Sequence, residues 1–281
     1  MLLTFEQQTK LVDQGLAKRS DNGYLSTFKY ARKAMYDYLW NKHPELLECR
    51  GHTYNNITGE LIVAAPRKTF NYLENNTWVV MPLGMKVSAS KKYNGFMACT
   101  AYDEEDNAVI STTGSTKSQY VQWAELVLPS VFYTGVTSLW EIIVPQDPHI
   151  IQEQETGAVF LGTRDKKTGE FIPSMNTCES SVDTLGDAIE LCKTDRGEGF
   201  MLYDSKGRCC KIKTEYYIGK KKLMRMSKQK VKHMWQYPLA VQATLPPYWN
   251  GAVDFILSTQ TFEAWSEMTD QQRRKELEKF V

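Results

Sequence analysis

The chain has 281 residues and a formal net charge of +1, with 34 Lys and Arg against 33 Asp and Glu, so the whole molecule is not a polycation. Hydrophobic residues make up 42% and charged residues 24%, ordinary values for a globular protein long enough to bury one large core with a small appendage. No apolar run reaches membrane-spanning length, the opening "MLLTFEQQTKLVDQGLAKRS" lacks a signal-peptide core, and the six cysteines and four histidines show no metal-ligand spacing, which predicts reduced thiols in a cytoplasmic protein.

In chain order, residues 3–47 read as helical with a break at "SDNGYLS". Phe28, Ala31, Ala34, Met35, Tyr38 and Leu39 then fall on one helical stripe. From about Glu48 the texture turns to short β-rich runs separated by turn residues. "HTYNNITGELIVAA" carries Thr58-Gly59 as a turn between strands, and "NTWVVMPL" reads as another strand. "GFMACTAYDEEDNAVISTTGS" reads as a hairpin closing through Glu104 to Asn107. "SLWEIIVP", "GAVFLGTRDKKTGEFIP" and "EGFMLYDSKGRCCKIKTEYYI" continue the strand series. Helices interrupt it from Lys117 onward and at "SVDTLGDAIELCKT". After about Lys220 the chain becomes helical and basic, and "TFEAWSEMTDQQRRKELEKFV" predicts a closing helix capped near Thr269 or Asp270. The pattern predicts an α+β fold of antiparallel sheets flanked by helices, with residues 1–219 as one domain (1–47 its helical N-terminal part) and 220–281 as a small basic helical C-terminal region.

Chemistry-bearing residues stand out within this frame. Lys91 and Lys92 precede Tyr93-Asn94-Gly95, which reads either as a solvated strand end or as a nucleophile beside a group that tunes it. A second K-x-x-G, Lys166–Gly169, lies between apolar runs and reads as a hairpin turn. Glu141 sits in the apolar "LWEIIVP", where a buried carboxylate requires a partner. Lys211 and Lys213, two apart on a strand, point to one face. The run from Lys211 to Lys232 holds nine cations against the single acid Glu215, a candidate phosphate contact or a solvated face.

Taken in order, "LECRG" with Arg50, "PRKTFN" with Lys68, "KKYNG" with Lys92, "TTGSTKS", "LWEIIVP" with Glu141, "EGFML" with Glu198 and "KIKTEYY" with Lys211, Lys213 and Tyr217 resemble the T4-phage-type RNA ligase 1 family of covalent nucleotidyltransferases. That family carries K-x-D-G, F-E, E-G and K-I-K in the same order, and the resemblance runs from about Glu48 to Tyr217. It implies that residues 1–219 are an adenylyltransferase domain using ATP and Mg²⁺, with Mn²⁺ as an alternative ion. Lys92 would be the nucleophile that takes AMP, with Lys211 and Lys213 as further catalytic residues gripping the triphosphate. Arg50 and Lys68 would bind the β and γ phosphates, and Glu141 the ribose hydroxyls. Lys91, Asn94, Gly95 and Tyr217 would complete the ATP site, and Glu198 would hold the metal. The AMP would pass to an RNA 5′-phosphate, and a 3′-hydroxyl would then seal the strand. The implied partner is single-stranded RNA or a nicked RNA loop, handled by a monomer in tRNA or other RNA repair, in a bacterial cytoplasm or a phage-infected host. Lys220, Lys221, Lys222, Arg225 and Lys228 would form the RNA-phosphate surface.

The sequence departs from the family pattern at several places. Asn94 replaces the acid of K-x-D-G, Phe96 replaces a small residue, and Thr113 stands where the family has a lysine. The arginine that follows F-E is missing, with only His149 nearby. The region after Tyr217 is shorter than the family's fuller C-terminal domain, and its helical texture argues against an OB-fold. Use of another nucleotide, joining of DNA ends, and an idle RNA-binding relative therefore stand as alternatives.

Overall fold

In the computed structural model, which describes residues 2–147, 149–153 and 155–280, the chain forms two compact units that interleave along the sequence. The first comprises Met1–Thr69, Gly95–Val144 and Glu155–Cys178; the second comprises Phe70–Asn94, Pro145–Gln154 and Glu179–Val281. The elements begin with helix α1 (Phe5–Asp13), strands β1 (Ala17–Asn22) and β2 (Leu25–Tyr30), a single turn α2 (Lys33–Tyr36), and strands β3 (Arg50–Asn55) and β4 (Leu61–Val63). Strands β5 (Ser88–Lys91), β6 (Phe96–Tyr102) and β7 (Ala108–Thr112), helix α3 (Gln119–Glu125) and strands β8 (Val136–Ile143), β9 (Gly157–Asp165) and β10 (Phe171–Pro173) follow. Helix α4 (Leu185–Thr194) and strands β11 (Gly199–Tyr203) and β12 (Cys209–Lys213) lead into helices α5 (Glu215–Met224), α6 (Lys228–Gln236), α7 (Pro238–Gln242), α8 (Ala252–Thr259), α9 (Phe262–Glu267) and α10 (Asp270–Leu277).

The first unit holds two antiparallel sheets, ordered β1-β2-β3-β4 and β10-β9-β8-β6-β7. Leu25, Ile62 and Val63 of one sheet pack with Cys99, Val109 and Leu139 of the other, burying the apolar alternation of both. A second cluster joins Ala98, Trp140 and Ile142 to Ala124 of α3 and to Phe132. Buried charge is paired: Glu48 accepts from Arg164 at 2.9 Å and lies 3.4 Å from His52, and Arg164 also donates to the Ala65 carbonyl.

The second unit has a three-stranded antiparallel sheet, β12-β11-β5, packed against α4 through Leu185, Ala188, Phe200, Leu202 and Cys210. Helices α5 to α10 enclose Trp249, Trp265, Val231, Met234 and Ile256. Gly219 of α5 lies against the Trp249 ring, where a Cβ would overlap it, and Trp249 Nε1 donates to the Tyr216 carbonyl at 3.0 Å. Arg273 of α10 is buried and donates to the Trp265, Ser266, Met224 and Met226 carbonyls, at and just beyond the C-terminal ends of α5 and α9.

Several sequence expectations change. The helical reading of 3–47 holds over α1, but Ala17–Tyr30 is a hairpin that turns at Gly23 (φ +59) directly after Asn22. Asn22 pairs with Leu25, so the two-residue loop is Gly23-Tyr24; glycine at the first loop position is a hairpin signal, and it outweighs the helical spacing of Phe28 and its neighbours. Phe28 is fully buried in β2, whereas Met35 and Tyr38 of the supposed stripe are exposed. "NTWVVMPL" forms no strand: Val79 and Val80 are exposed, and Trp78, buried, takes φ +60. The closing run is two helices, capped by Thr261 and Thr269, and its last residue, Val281, lies outside the described residues. The Thr58-Gly59 turn, the β6–β7 hairpin and the Lys166–Gly169 turn form as the sequence indicated.

Candidate active site

The second unit brings Lys92, Asn94, Glu198 and Lys213 together. β5 ends at Lys91, and the next amide, that of Lys92, donates to the Gly199 carbonyl at 2.8 Å, which extends the β5–β11 ladder by one residue. Glu198 precedes β11, and its carboxylate is buried. Gly199 adopts φ +133 and lets β12 pass close, since a Cβ there would overlap the Ile212 carbonyl and lie 2.8 Å from Lys213 Cα. That approach places the Lys213 ammonium on Glu198 Oε1.

The same oxygen lies 3.2 Å from Lys92 Nζ, so one carboxylate bridges two ammonium groups. Asn94 Nδ2 donates to the other oxygen of Glu198 at 2.7 Å. Asn94 is itself fixed, its amide donating to Glu153 Oε1 at 2.9 Å and its Oδ1 accepting from the Ile151 amide at 2.8 Å. Burial alone would push the Glu198 carboxyl up, but Lys92, Lys213 and the Asn94 amide together hold it below its ordinary range. The Lys213 ammonium is pulled down to about 8, first by burial and then by Lys92, against the opposing pull of Glu198. Burial and Glu198 push the Tyr217 hydroxyl up to about 12.

Lys211 shares the half-buried face of β12 with Lys213, and both line a cavity of about 620 Å³. Its strand position is fixed by backbone pairing, with the Lys211 amide donating to the Phe70 carbonyl and its carbonyl accepting from Tyr72. Tyr217 belongs to α5 rather than to the last strand: Thr214 caps the helix and accepts from the Tyr217 amide at 3.0 Å. Its ring lies under the Lys213 ammonium at 4.7 Å and the Lys221 ammonium at 5.6 Å. Lys91 lies over the Tyr93 ring at 4.9 Å, and its charge bears on Glu179.

The basic run separates into different environments. Lys220 is buried, donating to Glu278 at 2.9 Å and to the Tyr216 hydroxyl, so it is an internal ion pair rather than part of an RNA-phosphate surface. Lys228 is exposed and bound to Glu267 at 3.0 Å, and Arg225 lies 3.5 Å from Asp270. Lys222 donates to the Thr244 carbonyl. Tyr237 is exposed, while Trp235 packs against the helical core.

The first unit contains the other sequence-predicted residues. Glu141 of β8 is buried and accepts from the Gly95 amide at 3.0 Å, a partner of the kind its burial requires, while Arg164 pairs with Glu48. Gly95 lies against the Ile142 carbonyl, where no Cβ would fit. Lys68 Nζ donates to the Thr69 carbonyl and lies 5.7 Å from the Trp40 ring centroid. Arg50 opens β3 directly opposite Lys29 of β2.

Lys29 is a residue that the sequence reading missed. Its ammonium lies 3.4 Å from Thr113 Oγ1 and beside Gly114, so a cation from β2 reaches the segment where the family pattern has a lysine. Burial, Arg50 and Arg32 all lower its pKa, and the like charges of Lys29 and Arg50 stand opposite each other on the ladder at a cost to the pairing. The usable signal was the hairpin "DNGYLSTFKY", hidden by its helical spacing. His149 is engaged by Asp147 at 2.7 Å, and its neighbour Pro148 lies outside the described residues.

No helix among the described residues is long and apolar enough to cross a membrane. Neither a protein-family model nor a curated protein matches the sequence. Among solved structures, the chain is similar to form 1 of an archaeal ATP-dependent RNA ligase, with TM-score 0.54 and 13% identity, covering 96% of this chain and 74% of that one. Form 2 of an archaeal ATP-dependent RNA ligase gives TM-score 0.54 and 12% identity over 97% of this chain and 74% of that one. The chain shares with these ligases a mixed α/β fold built on antiparallel sheets.

Proposed function

We propose that the protein is an ATP-dependent RNA ligase of the T4-phage RNA ligase 1 type, with Lys92 as the nucleophile. The observation that carries this reading is the buried Glu198 carboxylate bridging the Lys92 and Lys213 ammonium groups, with Asn94 fixing its second oxygen. An ordinary lysine is about one part in a thousand neutral at neutral pH, and only the free amine attacks. The Lys213 charge favours the free amine of Lys92 and Glu198 favours the ammonium, so the pair sets the pH at which Lys92 reacts.

After Lys92 loses a proton to solvent, its Nζ attacks the α-phosphorus of ATP. A P–N bond forms, the bond to the β-phosphate oxygen breaks, and pyrophosphate leaves with the electron pair. An oxygen of an RNA 5′-phosphate then attacks the same phosphorus and returns the electron pair to Lys92. A 3′-hydroxyl finally attacks the 5′-phosphorus, releases AMP and gives its proton to solvent. Lys211 and Lys213 hold the phosphates from one strand face, while Arg50, Lys68 and Lys29 supply cations for the outer phosphates. Glu141 takes the ribose hydroxyls, and Tyr217 and Lys91 flank the nucleotide.

Among the described residues no group of three His, Cys, Asp or Glu side chains could hold a metal ion by itself. The single buried Glu198 carboxylate suits Mg²⁺ or Mn²⁺, of which Mg²⁺ keeps waters and binds through one or two carboxylates plus substrate phosphates. When bound, the ion neutralises charge on the phosphates. A monomer acting in the cytoplasm on single-stranded RNA or a nicked RNA loop completes the reading, with tRNA or other RNA repair as its setting.

The test is covalent labelling with ATP carrying its label at the α-phosphate, in Mg²⁺, beside Lys92→Ala and a GTP arm. Pretreatment with pyrophosphate removes any AMP already attached. Label retained after denaturation and absent from Lys92→Ala is the expected result. Label from GTP alone would move the reading to guanylyl transfer, and no label from either nucleotide would refute the covalent mechanism.

A further inference from the structure

The side chain that holds the second oxygen of Glu198 is itself held by one short segment of the second unit. Asn94 Nδ2 donates to Glu198 Oε2 at 2.7 Å, Asn94 Oδ1 accepts from the Ile151 amide at 2.8 Å, and the Asn94 amide donates to Glu153 Oε1 at 2.9 Å. Asn94 and Glu198 are both buried. The last torsion of an asparagine is broad and roughly two-fold, so its carboxamide can turn over and exchange its oxygen for its nitrogen. Nothing in Asn94 itself selects the end that faces the carboxylate. The Ile151 N–H does: it can meet only an acceptor, so it fixes Oδ1 and aims Nδ2 at Glu198. Turned over, Asn94 would set oxygen against carboxylate and N–H against N–H, at a buried site where each unmade bond is costly.

Residues 149–153 belong to no helix or strand, so no backbone ladder sets the position of that N–H. Their anchors are tertiary. Ile150 is 1% exposed and packs into the core of the C-terminal helices, with Ile151 packed against the same cluster. Arg274 of α10 donates from Nη1 to the His149 carbonyl at 3.0 Å. The His149 ring lies 2.7 Å from Asp147, and Glu278 lies 3.8 Å from Arg274 Nε. Arg273 ties α10 to the ends of α5 and α9, so Arg274 projects from a fixed base. Of these two consecutive arginines, one fastens the helix and the other fastens residues 149–153 to it.

From this arrangement we infer that residues 149–153 act as a strap that positions Asn94 on Glu198, with Arg274 and Glu153 as positioning residues for the cluster of Lys92, Glu198 and Lys213. Arg274 holds the strap to α10, and Glu153 holds the Asn94 backbone to the strap. This rests on the proposed ligase reading for the chemistry that the strap serves, but not for the coupling itself. Glu153 contributes an acceptor oxygen to a backbone N–H, which glutamine also offers. Arg274 contributes a donor to a carbonyl, which lysine also offers. Loss of either contact frees the Asn94 carboxamide to turn over, and the carboxylate that bridges the two ammonium groups then loses the donor that fixes its second oxygen.

The experiment compares the whole chain with Arg274→Ala, Arg274→Lys, Glu153→Ala and Glu153→Gln. Amide hydrogen exchange of Asn94 and Ile151 is read by NMR, with the amides of β11, the central strand of its sheet, as the reference. Single-turnover covalent labelling by ATP is read in parallel. In Arg274→Ala the exchange of Ile151 and Asn94 should speed up by about tenfold or more while β11 is unmoved, and Arg274→Lys should restore the protection. Both alanine variants should lower the maximal labelling rate by about ten- to a hundredfold, the weight of one hydrogen bond to a charged group, while the half-saturating ATP concentration moves by less than about threefold. Glu153→Gln should recover most of that rate. Unchanged exchange at Ile151 and Asn94 in Arg274→Ala would overturn the inference, as would a rise shared by β11, which would make Arg274 a support of the whole fold. Equal loss of rate in Glu153→Ala and Glu153→Gln would assign Glu153 a role for its charge and overturn it too, and so would a full labelling rate in a variant whose strap is loosened. If no protein is labelled by ATP, the covalent mechanism fails and the exchange result alone decides the strap.

Discussion

Replacing Glu198 by Gln is the sharpest perturbation of the lysine pair. The substitution keeps shape and leaves a carbonyl to accept from Asn94, but it removes the charge shared by Lys92 at 3.2 Å and by Lys213. At that distance and an effective dielectric of about 20, the Lys92–Glu198 attraction is about 5 kcal/mol. Lys213 competes for the same oxygen and hydration offsets much of the remainder. The net effect of the substitution is to favour the free amine of Lys92. Lys213, already at about 8, falls further, because Glu198 is what holds it up. The assay is single-turnover covalent labelling between pH 5 and 9 at saturating ATP. The alkaline-rising limb of the rate should move to lower pH in Glu198→Gln, even if the plateau rate drops. The variant should also melt lower, by more at acidic than at alkaline pH. Lysines with depressed folded-state pKa values lose stability as pH falls through those values. A limb that stays in place or moves upward would refute the argument that this carboxylate sets the protonation of Lys92.

Two further predictions concern the fold. Glu48, held to about 2 by His52 and Arg164 against the opposing effect of burial, contributes stability that is present above its ordinary value of 4.5 and lost as pH falls toward 2. Glu48→Gln should cost about 2–3 kcal/mol at neutral pH after allowance for screening, and its urea-unfolding free energy should converge with that of the parent between pH 4.5 and 2. A constant gap across that window would exclude the ion pair as its source. Gly219→Ala should destabilise by about 1–3 kcal/mol, because the new methyl overlaps the Trp249 ring and overpacking exceeds the gain of about 1 kcal/mol in helix propensity. Thermal melting tests this, and a higher melting temperature would show that Trp249 yields without cost.

Much of the β architecture was legible because strand alternation and turn chemistry are local. Thr58-Gly59, Glu104 to Asn107 and Lys166–Gly169 each end one apolar run and start another, and each forms its turn. The Gly23-Tyr24 hairpin was equally local but was masked by the helical spacing of the residues after it. "NTWVVMPL" has strand composition yet no strand pairs with it, and a strand without a partner cannot satisfy its backbone.

The candidate site divides in the same way. Spacing alone put Lys211 and Lys213 on one face of a strand, Glu198 at a strand start before a glycine, and Lys92 at a strand end. That Glu198 bridges Lys92 and Lys213 required β5, β11 and β12 to pair in one sheet, which long-range register decides. The cations after Lys211 were equally conspicuous in the sequence, but their roles were not. Glu278 and Glu267, both distant in the chain, engage Lys220 and Lys228, whereas Lys221, Lys222, Arg225 and Lys230 line the cavity, Arg225 beside Asp270. A charge's identity is written in the sequence, but its energy depends on burial and on the opposite charge that folding brings within a few ångströms, so only the tertiary structure decided which of these cations remain for a ligand.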